Sequence, residues 1–396
     1  MSHARASIAG LHYKTGKPIQ IDMMNGIIKR VELLTDRAMG GGTDHLPWIG
    51  PGWVDLQVNG FSGIDLNAPS LTTEHVHELT RKLWAEGTTT FYPTVITNSD
   101  ENIEALVRTI AQACAMEEMT AASIAGIHLE GPFLSPEDGP RGAHGRAFVK
   151  PPDWELFERW QYAAEGRIRL ITLSPEWEGA RAFIDQCVRN GVSVSIGHTS
   201  ATPEQIRAAV QSGASLSTHL GNGAHLKLPR HPNYIWEQLA QDGLSTCIIA
   251  DGFHLPDSVM KVMMKVKADR LYLVSDAVYL CGMEPGVYDT HIGGQVVLTA
   301  EGRLHLANEP GLLAGSAQML KAGIEHLVES GLSDSATAWD MASVQPAAYM
   351  GLTAGEGLAP GAPADLISFS WKRDSRLELH NVYKYGHLSI RLTEPT

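Results

Sequence analysis

The chain has 396 residues, 43% hydrophobic and 19% charged, the balance of a soluble globular protein with one large domain and a smaller one. Its formal net charge of -13 sets up a field that repels phosphate, which argues against a general nucleic-acid or anionic-membrane binder but leaves room for a small anionic substrate in a local Arg/His pocket. Cys114, Cys187, Cys247 and Cys281 form no C-x-x-C pair, the N-terminus has no signal-peptide core and no apolar run spans a bilayer, so buried thiols in a cytoplasmic protein are expected.

Residues 1–49 contain short alternating strands, as in IQIDMMNGIIKRVEL. From about residue 50 to residue 350, apolar β-type segments alternate with helix-period segments. The strand candidates are 51–57, 89–95, 124–130, 168–173, 192–197, 215–219, 246–250 and 271–276. TTEHVHELTRKLWAEG and TPEQIRAAVQSG read as helices between them. The second opens on Thr202, Pro203, Glu204 and Gln205, a capping box with proline at the first helical position. The segment 287–307 reads as an inserted hairpin, and residues 357–396 as more short strands.

Strand–helix alternation predicts a parallel sheet covered by helices. Eight strands suit a closed (β/α)8 TIM-type barrel over 50–356, with 1–49 and 357–396 forming a small β-sandwich domain from both chain ends. A doubly wound open sheet is the rival, but it places its ligand at one switch point and does not use so many strand ends.

Five of these strands end in a residue able to bind metal or move a proton. They are Glu130 in GIHLEGP, His198 in SVSIGHTS, His219 in SLSTHLGN, His254 in IADGFHL and Asp276 in LYLVSDA. A histidine at a strand end is usually just a hydrogen-bonded polar residue. Four such positions in strand order, followed by a terminal Asp, point instead to a site. One carboxylate and two histidines are a ligand set for a divalent metal with a position left open. Such an ion lowers the pKa of a water and polarises a carbonyl, two needs of amide hydrolysis near neutral pH. Asp276 is then a candidate base and His254 a candidate polariser. The absence of G-x-S-x-G disfavours a serine hydrolase, and the absence of a Walker loop disfavours a kinase.

Over nearly its whole length the sequence resembles the N-acetylglucosamine-6-phosphate deacetylase family of the amidohydrolase superfamily. The resemblance is carried by PGWVDLQVNG, GTTTFYPTVIT, GIHLEGPFLSPEDGPRGAH, SIGHTSAT, STHLGN, IADGFHL, LVSDA, LAGSAQML and GLAPGAPADL. It implies that Glu130, His198 and His219 bind one divalent ion, zinc first, with Fe2+, Mn2+ or Co2+ as alternatives. It also implies that Asp276 is the general base and acid, and that His144 and His254 contact the substrate, the latter near the acetyl carbonyl. The implied reaction converts N-acetylglucosamine 6-phosphate to glucosamine 6-phosphate and acetate, and the implied assembly is a homodimer.

Two departures qualify the match. Many amidohydrolases open with Asp-x-His-x-His, which supplies a second metal site. Here Asp55-Leu-Gln57-Val-Asn59 offers amides, which bind divalent metals poorly, so a one-metal site is expected and Gln57 and Asn59 should hydrogen-bond within the barrel floor. The family also continues after the last metal histidine with Asn-Ala-Met and Arg-x-Pro-Gly, whose Asn, backbone amide and Arg hold the sugar phosphate. Here Asn222 precedes Gly223-Ala224-His225, and Arg230-His231-Pro232 precedes Asn233-Tyr234-Ile235-Trp236. By resemblance Asn222, Gly223 and Arg230 are the phosphate contacts; an Arg can make paired charge-assisted bonds to phosphate. The altered loop motivates a rival enzyme reading, deacetylation of an unphosphorylated sugar or an N-acyl amino acid. A non-catalytic sugar-binding protein is the rival of another class, disfavoured by the retained ligands and Asp276.

Overall fold

The structure is a computed structural model that describes residues 5–35, 45–290, 294–372 and 376–392. The chain forms two compact units. One comprises Leu56–Leu79 and Phe91–Met319, the other Met1–Asp55, Thr80–Thr90 and Leu320–Thr396.

Eight strands make a parallel sheet in which each lies beside its neighbour in sequence. They are Trp53–Val58, Thr88–Ile96, Ile127–Glu130, Ile168–Leu173, Ser193–Ile196, Leu216–Ser217, Ser245–Ile248 and Leu271–Leu273. A bridge between Val58 and Ala277, with the Asp276 N–H donating to the Gln57 carbonyl at 3.0 Å, links the last strand back to the first. The result is the expected (β/α)8 barrel, which brings the C-terminal ends of all eight strands to one face. The strands are buried on both sides, as parallel strands covered by helices must be.

Four strands, Ser193–Ile196, Leu216–Ser217, Ser245–Ile248 and Leu271–Leu273, stop one to three residues earlier than the sequence predicts. Leu216–Ser217 and Leu271–Leu273 leave the ladder because His219 and Asp276, just beyond them, take left-handed backbone with φ of 27° and 49°. The expected helices form at Thr73–Ala85 and Pro203–Gln211. Thr202 accepts from the Gln205 N–H, and the Gln205 side chain accepts from the Thr202 N–H, which completes the capping box. Helix Asp257–Lys267 is tied to the end of helix Tyr234–Ala240 by the buried Lys267 ammonium. It donates to the carbonyls of Gln238, Gln241 and Leu244 at 2.9, 2.8 and 3.0 Å, acceptors that a helix end leaves unpaired. Phe133, Trp160, Phe157 and Phe183 pack together and back the loop that follows Glu130.

The segment expected as a hairpin forms three antiparallel strands, Gly286–Thr290, Gly294–Leu298 and Leu304–Leu306, with 291–293 outside the described residues. In the other unit both chain ends join one seven-stranded sheet, in which Trp48–Pro51 lies between Arg5–His12 and Leu366–Trp371. Trp339 anchors that unit. It stacks on Phe369 at 4.2 Å, packs against Trp53 at 5.1 Å and donates its indole N–H to the Pro51 carbonyl.

Candidate active site

Strand alternation aims the first groups inward. His128 and Glu130 sit two apart on Ile127–Glu130 and point to the same side, as do Gln57 and Asn59 at the end of the first barrel strand. His128 donates from Nδ1 to the Leu56 carbonyl at 3.0 Å, so its Nε2 accepts from the Thr172 hydroxyl at 2.7 Å. Thr172 in turn accepts from Thr218 at 2.6 Å, and Thr218 from Ser195 at 2.5 Å. This buried relay gives four polar groups a single proton order.

The three expected metal ligands converge. Glu130 Oε1, His198 Nε2 and His219 Nε2 form a triangle with all three sides 3.1 Å. Ligand atoms arranged tetrahedrally at about 2.0–2.1 Å from one ion stand roughly 3.3 Å apart, so the triangle fits a divalent cation. The chemistry of the donors agrees. His198 Nδ1 donates to the Pro140 carbonyl at 2.8 Å, which leaves the Nε2 lone pair facing the other two atoms. All three side chains are buried. Burial opposes ionisation of Glu130, but the two imidazoles facing it hold its carboxyl well below the usual range. Burial likewise opposes a charge on His219, and the Glu130 carboxylate outweighs it and raises the imidazole.

His144 comes from the loop after Glu130 and joins the same cluster. Its Nε2 is 3.3 Å from His198 Nε2, and its Nδ1 donates to the Thr97 hydroxyl at 2.9 Å. Glu130, His144 and His198 each place a ligand atom within 4.8 Å of the others, so two overlapping triplets could hold an ion. The set with His219 is the tighter and has equal sides. Burial, then the neighbouring His198, pushes His144 down to about 3, so it faces the cluster neutral.

Asp276 follows the eighth strand and is set against the first. Asn59 Nδ2 donates to its Oδ1 at 2.7 Å, while Gln57 Nε2 donates to Glu130 Oε2 at 3.0 Å. The two amides that stand where a second metal site would be therefore bond to the site's two carboxylates. Burial, with Glu130 nearby, pushes Asp276 up to about 6, a value suited to a proton carrier near neutral pH. His254 also acts electrostatically on Asp276. Its ring is fixed by Asp251, whose Oδ2 takes the Nδ1 proton at 2.7 Å. The signal for Asp251 in the sequence is an acid three residues before a strand-end histidine.

Three of these residues, His198, His219 and Asp276, have positive φ at 48°, 27° and 49°. For residues with a Cβ this backbone is strained by roughly 1–3 kcal/mol each, a cost met mainly at functional positions.

The expected phosphate contacts are placed differently. Asn222 is half-buried, with its N–H and side-chain amide both directed at the His219 carbonyl. Gly223 lies on the His198 ring: a Cβ there would come within 2.6 Å of it. Both line a small cleft with His198, Thr199, Tyr234 and Gln238. Arg230 is exposed on the following loop and is not among the residues lining that cleft. Tyr234 is buried, with its hydroxyl on His225, whose Nε2 reaches Glu137 at 3.1 Å; Trp236 is exposed.

Residues 48–388 match the amidohydrolase family. The chain is 35% identical over 324 residues to the N-acetylglucosamine-6-phosphate deacetylase of Bacillus subtilis, covering 81% of this chain and 80% of that one. It is 30% identical to an N-acetylgalactosamine-6-phosphate deacetylase of Escherichia coli O157:H7, over 86% of this chain and 87% of that one. A variant N-acetyl-D-glucosamine-6-phosphate deacetylase of Mycobacterium smegmatis, solved in complex with N-acetyl-D-glucosamine-6-phosphate, superposes with a TM-score of 0.84 at 28% identity, covering 98% of this chain and 100% of that one. The chain is an enzyme of the amidohydrolase family, whose members depend on metal, and it belongs with the N-acetylglucosamine-6-phosphate deacetylases.

Proposed function

We propose that the protein hydrolyses the N-acetyl group of an amino sugar 6-phosphate, with N-acetylglucosamine 6-phosphate as its substrate. The observation that carries this reading is the 3.1 Å triangle of Glu130, His198 and His219 beside Asp276, in a chain similar along its length to such deacetylases. Those three residues would hold one divalent ion, zinc in preference to Fe2+, Mn2+ or Co2+, because imidazole with carboxylate suits it. When bound, the ion supplies Lewis acidity to the acetyl carbonyl and acidifies water.

The chain's own residues do the rest. Asp276 takes a proton from the attacking water and returns it to the sugar nitrogen as the C–N bond breaks, giving acetate and the free amine. His254 donates to the acetyl oxygen as negative charge develops there. His144, neutral and buried, contacts the sugar. Asn222, Gly223 and Arg230 remain our assignment for the phosphate, with Arg230 supplied across the dimer interface as the resemblance implies.

We also assign a homodimer. Helix Asp257–Lys267 exposes Val259, Val262 and Val266, spaced along one face, and such an apolar stripe favours a partner surface. Among the described residues no helix is long and apolar enough to cross a membrane, and we assign the protein to the cytoplasm. The division into 50–356 and a small domain of 1–49 with 357–396 is likewise our proposal.

Metal content with acetate release tests the reading. The purified chain should hold one zinc per subunit and release acetate from N-acetylglucosamine 6-phosphate, and Glu130→Gln should lose both. Two metals per chain, or turnover unaffected by Glu130→Gln, would contradict it.

A further inference from the structure

We infer that Asp251 is a positioning residue for hydrolysis: its carboxylate holds His254 by Nδ1 and so turns Nε2, with its proton, toward the acetyl oxygen. The inference rests on the proposed role of His254.

The segment Ala250-Asp251-Gly252-Phe253-His254 leaves strand Ser245–Ile248 and doubles back on itself, with Gly252 at φ +78°. This turn brings His254 Nδ1 to 2.7 Å from Asp251 Oδ2, with both side chains 7% or less exposed. The other carboxylate oxygen is also committed. Asp251 Oδ1 accepts from the N–H groups of Phe253 and His254, each at 2.9 Å. The acid therefore cannot swing away from the ring. Burial opposes its ionisation, but the His254 bond and these backbone donors keep it below the ordinary carboxylate range, so it presents a full negative charge.

The proton count then fixes what His254 can do. With Nδ1–H given to Asp251, the ring donates through Nε2 only when both nitrogens carry protons. That form is a buried cation, and burial is costly for an unpaired charge. Asp251 is the anion in contact with it, and Asp276 is the other carboxylate that acts on it electrostatically. Asp251 touches no reacting atom in this account; it acts through the imidazole.

Asp251→Asn separates this role from a purely structural one. The amide oxygen of the substituted side chain would stay with the two backbone N–H groups, which claim an acceptor. Its NH2 would then face His254 Nδ1 and donate to it, leaving the ring a neutral Nε2–H donor without the counter-charge that supports the imidazolium.

The experiment compares wild type, Asp251→Asn, His254→Asn and the double variant as zinc-loaded full chains. Steady-state hydrolysis of N-acetylglucosamine 6-phosphate is measured together with 15N spectra of histidine-labelled protein. Asp251→Asn should lower kcat by about tenfold, the order expected for replacing a charged donor by a neutral one, with KM changed less than about threefold. The double variant should be no slower than His254→Asn alone, and the His254 Nδ1 proton should vanish from the Asp251→Asn spectrum. Unchanged kcat in Asp251→Asn, multiplying losses in the double variant, or a retained Nδ1 proton would each overturn the inference. Full activity in His254→Asn would overturn the role of His254 itself, and Asp251 with it. If wild type failed to turn over this sugar, the proposed function would fall, while the spectra would still decide the tautomer.

Discussion

Asn59 donates its side-chain N–H to Asp276 Oδ1 at 2.7 Å, joining the end of the first barrel strand to the residue after the eighth. That bond occupies one carboxylate oxygen and leaves the other for the proposed proton transfer. It also favours the charged form of Asp276, against burial and Glu130, which disfavour it. Asn59→Ala should therefore lower kcat by roughly 10–100-fold, as an orienting partner of a catalytic group does, with little change in KM. The acidic limb of the rate profile should move to higher pH. A variant with unchanged kcat and limb would show that the bond only seals the barrel.

The pH dependence follows from Asp276, pushed up to about 6. A base must be ionised, so kcat/KM should fall about tenfold per pH unit below the apparent value. A divalent ion nearby favours the carboxylate, so the limb of the zinc enzyme belongs at or below about pH 6. A limb well above that value would contradict the assignment. Folding has the opposite sign. The native value is raised above the ordinary 3.8, so this group's contribution to stability is full below pH 3.8 and is lost as pH rises through about 6. At about pH 8 metal-free Asp276→Asn should be more stable than metal-free wild type by roughly 1–3 kcal/mol. Equal or lower stability in denaturant unfolding would contradict this.

Gly223 lies against the His198 ring in left-handed backbone. Its φ is +55°, and a Cβ would sit 2.6 Å from the Cε1 and Nδ1 of His198. Gly223→Ala should push that ring off the Pro140 carbonyl and weaken zinc by at least about tenfold, measured by chelator competition. Unchanged affinity would mean that the loop relaxes freely around the added methyl.

His128, two residues from Glu130 and enclosed by the hydroxyl relay, is pushed by burial down to about 4 from 6.5. The unfolded chain takes up its proton near pH 6.5 and the native one does not. This contribution to stability is therefore full above pH 6.5 and is lost as pH falls toward about 4. In His128→Asn the slope of unfolding free energy against pH across that window should shrink by about one proton's worth, roughly 1.4 kcal/mol per unit. An unchanged slope in metal-free protein would show that His128 titrates normally.

Much of this architecture was legible in the chain because the barrel writes itself as alternation. Each of the eight strands overlaps its expected segment, and Glu130, His198, His219, His254 and Asp276 stand out as polar endings of apolar runs. What the sequence hides is three-dimensional. The positive φ of His198, His219 and Asp276 depends on the ladder they leave, so the ends of Leu216–Ser217 and Leu271–Leu273 could not be read. The third strand of the insertion, Leu304–Leu306, is too short to show a period. The Asn59–Asp276 and Gln57–Glu130 bonds join residues 217 and 73 apart, which only closure of the barrel brings together. Arg230 shows the converse: resemblance assigns it to phosphate, and the structure leaves it exposed on an altered loop.

The most direct test of the central claim is kcat/KM of the zinc-loaded enzyme on N-acetylglucosamine 6-phosphate, with unphosphorylated N-acetylglucosamine and N-acetylgalactosamine 6-phosphate alongside. The account predicts a preference of at least about a hundredfold for the phosphorylated glucosamine over the plain sugar, on the order of the 2–3 kcal/mol that charge-assisted phosphate contacts supply. Equal rates with and without the phosphate, or no turnover of any of the three by enzyme that still holds zinc, would contradict it.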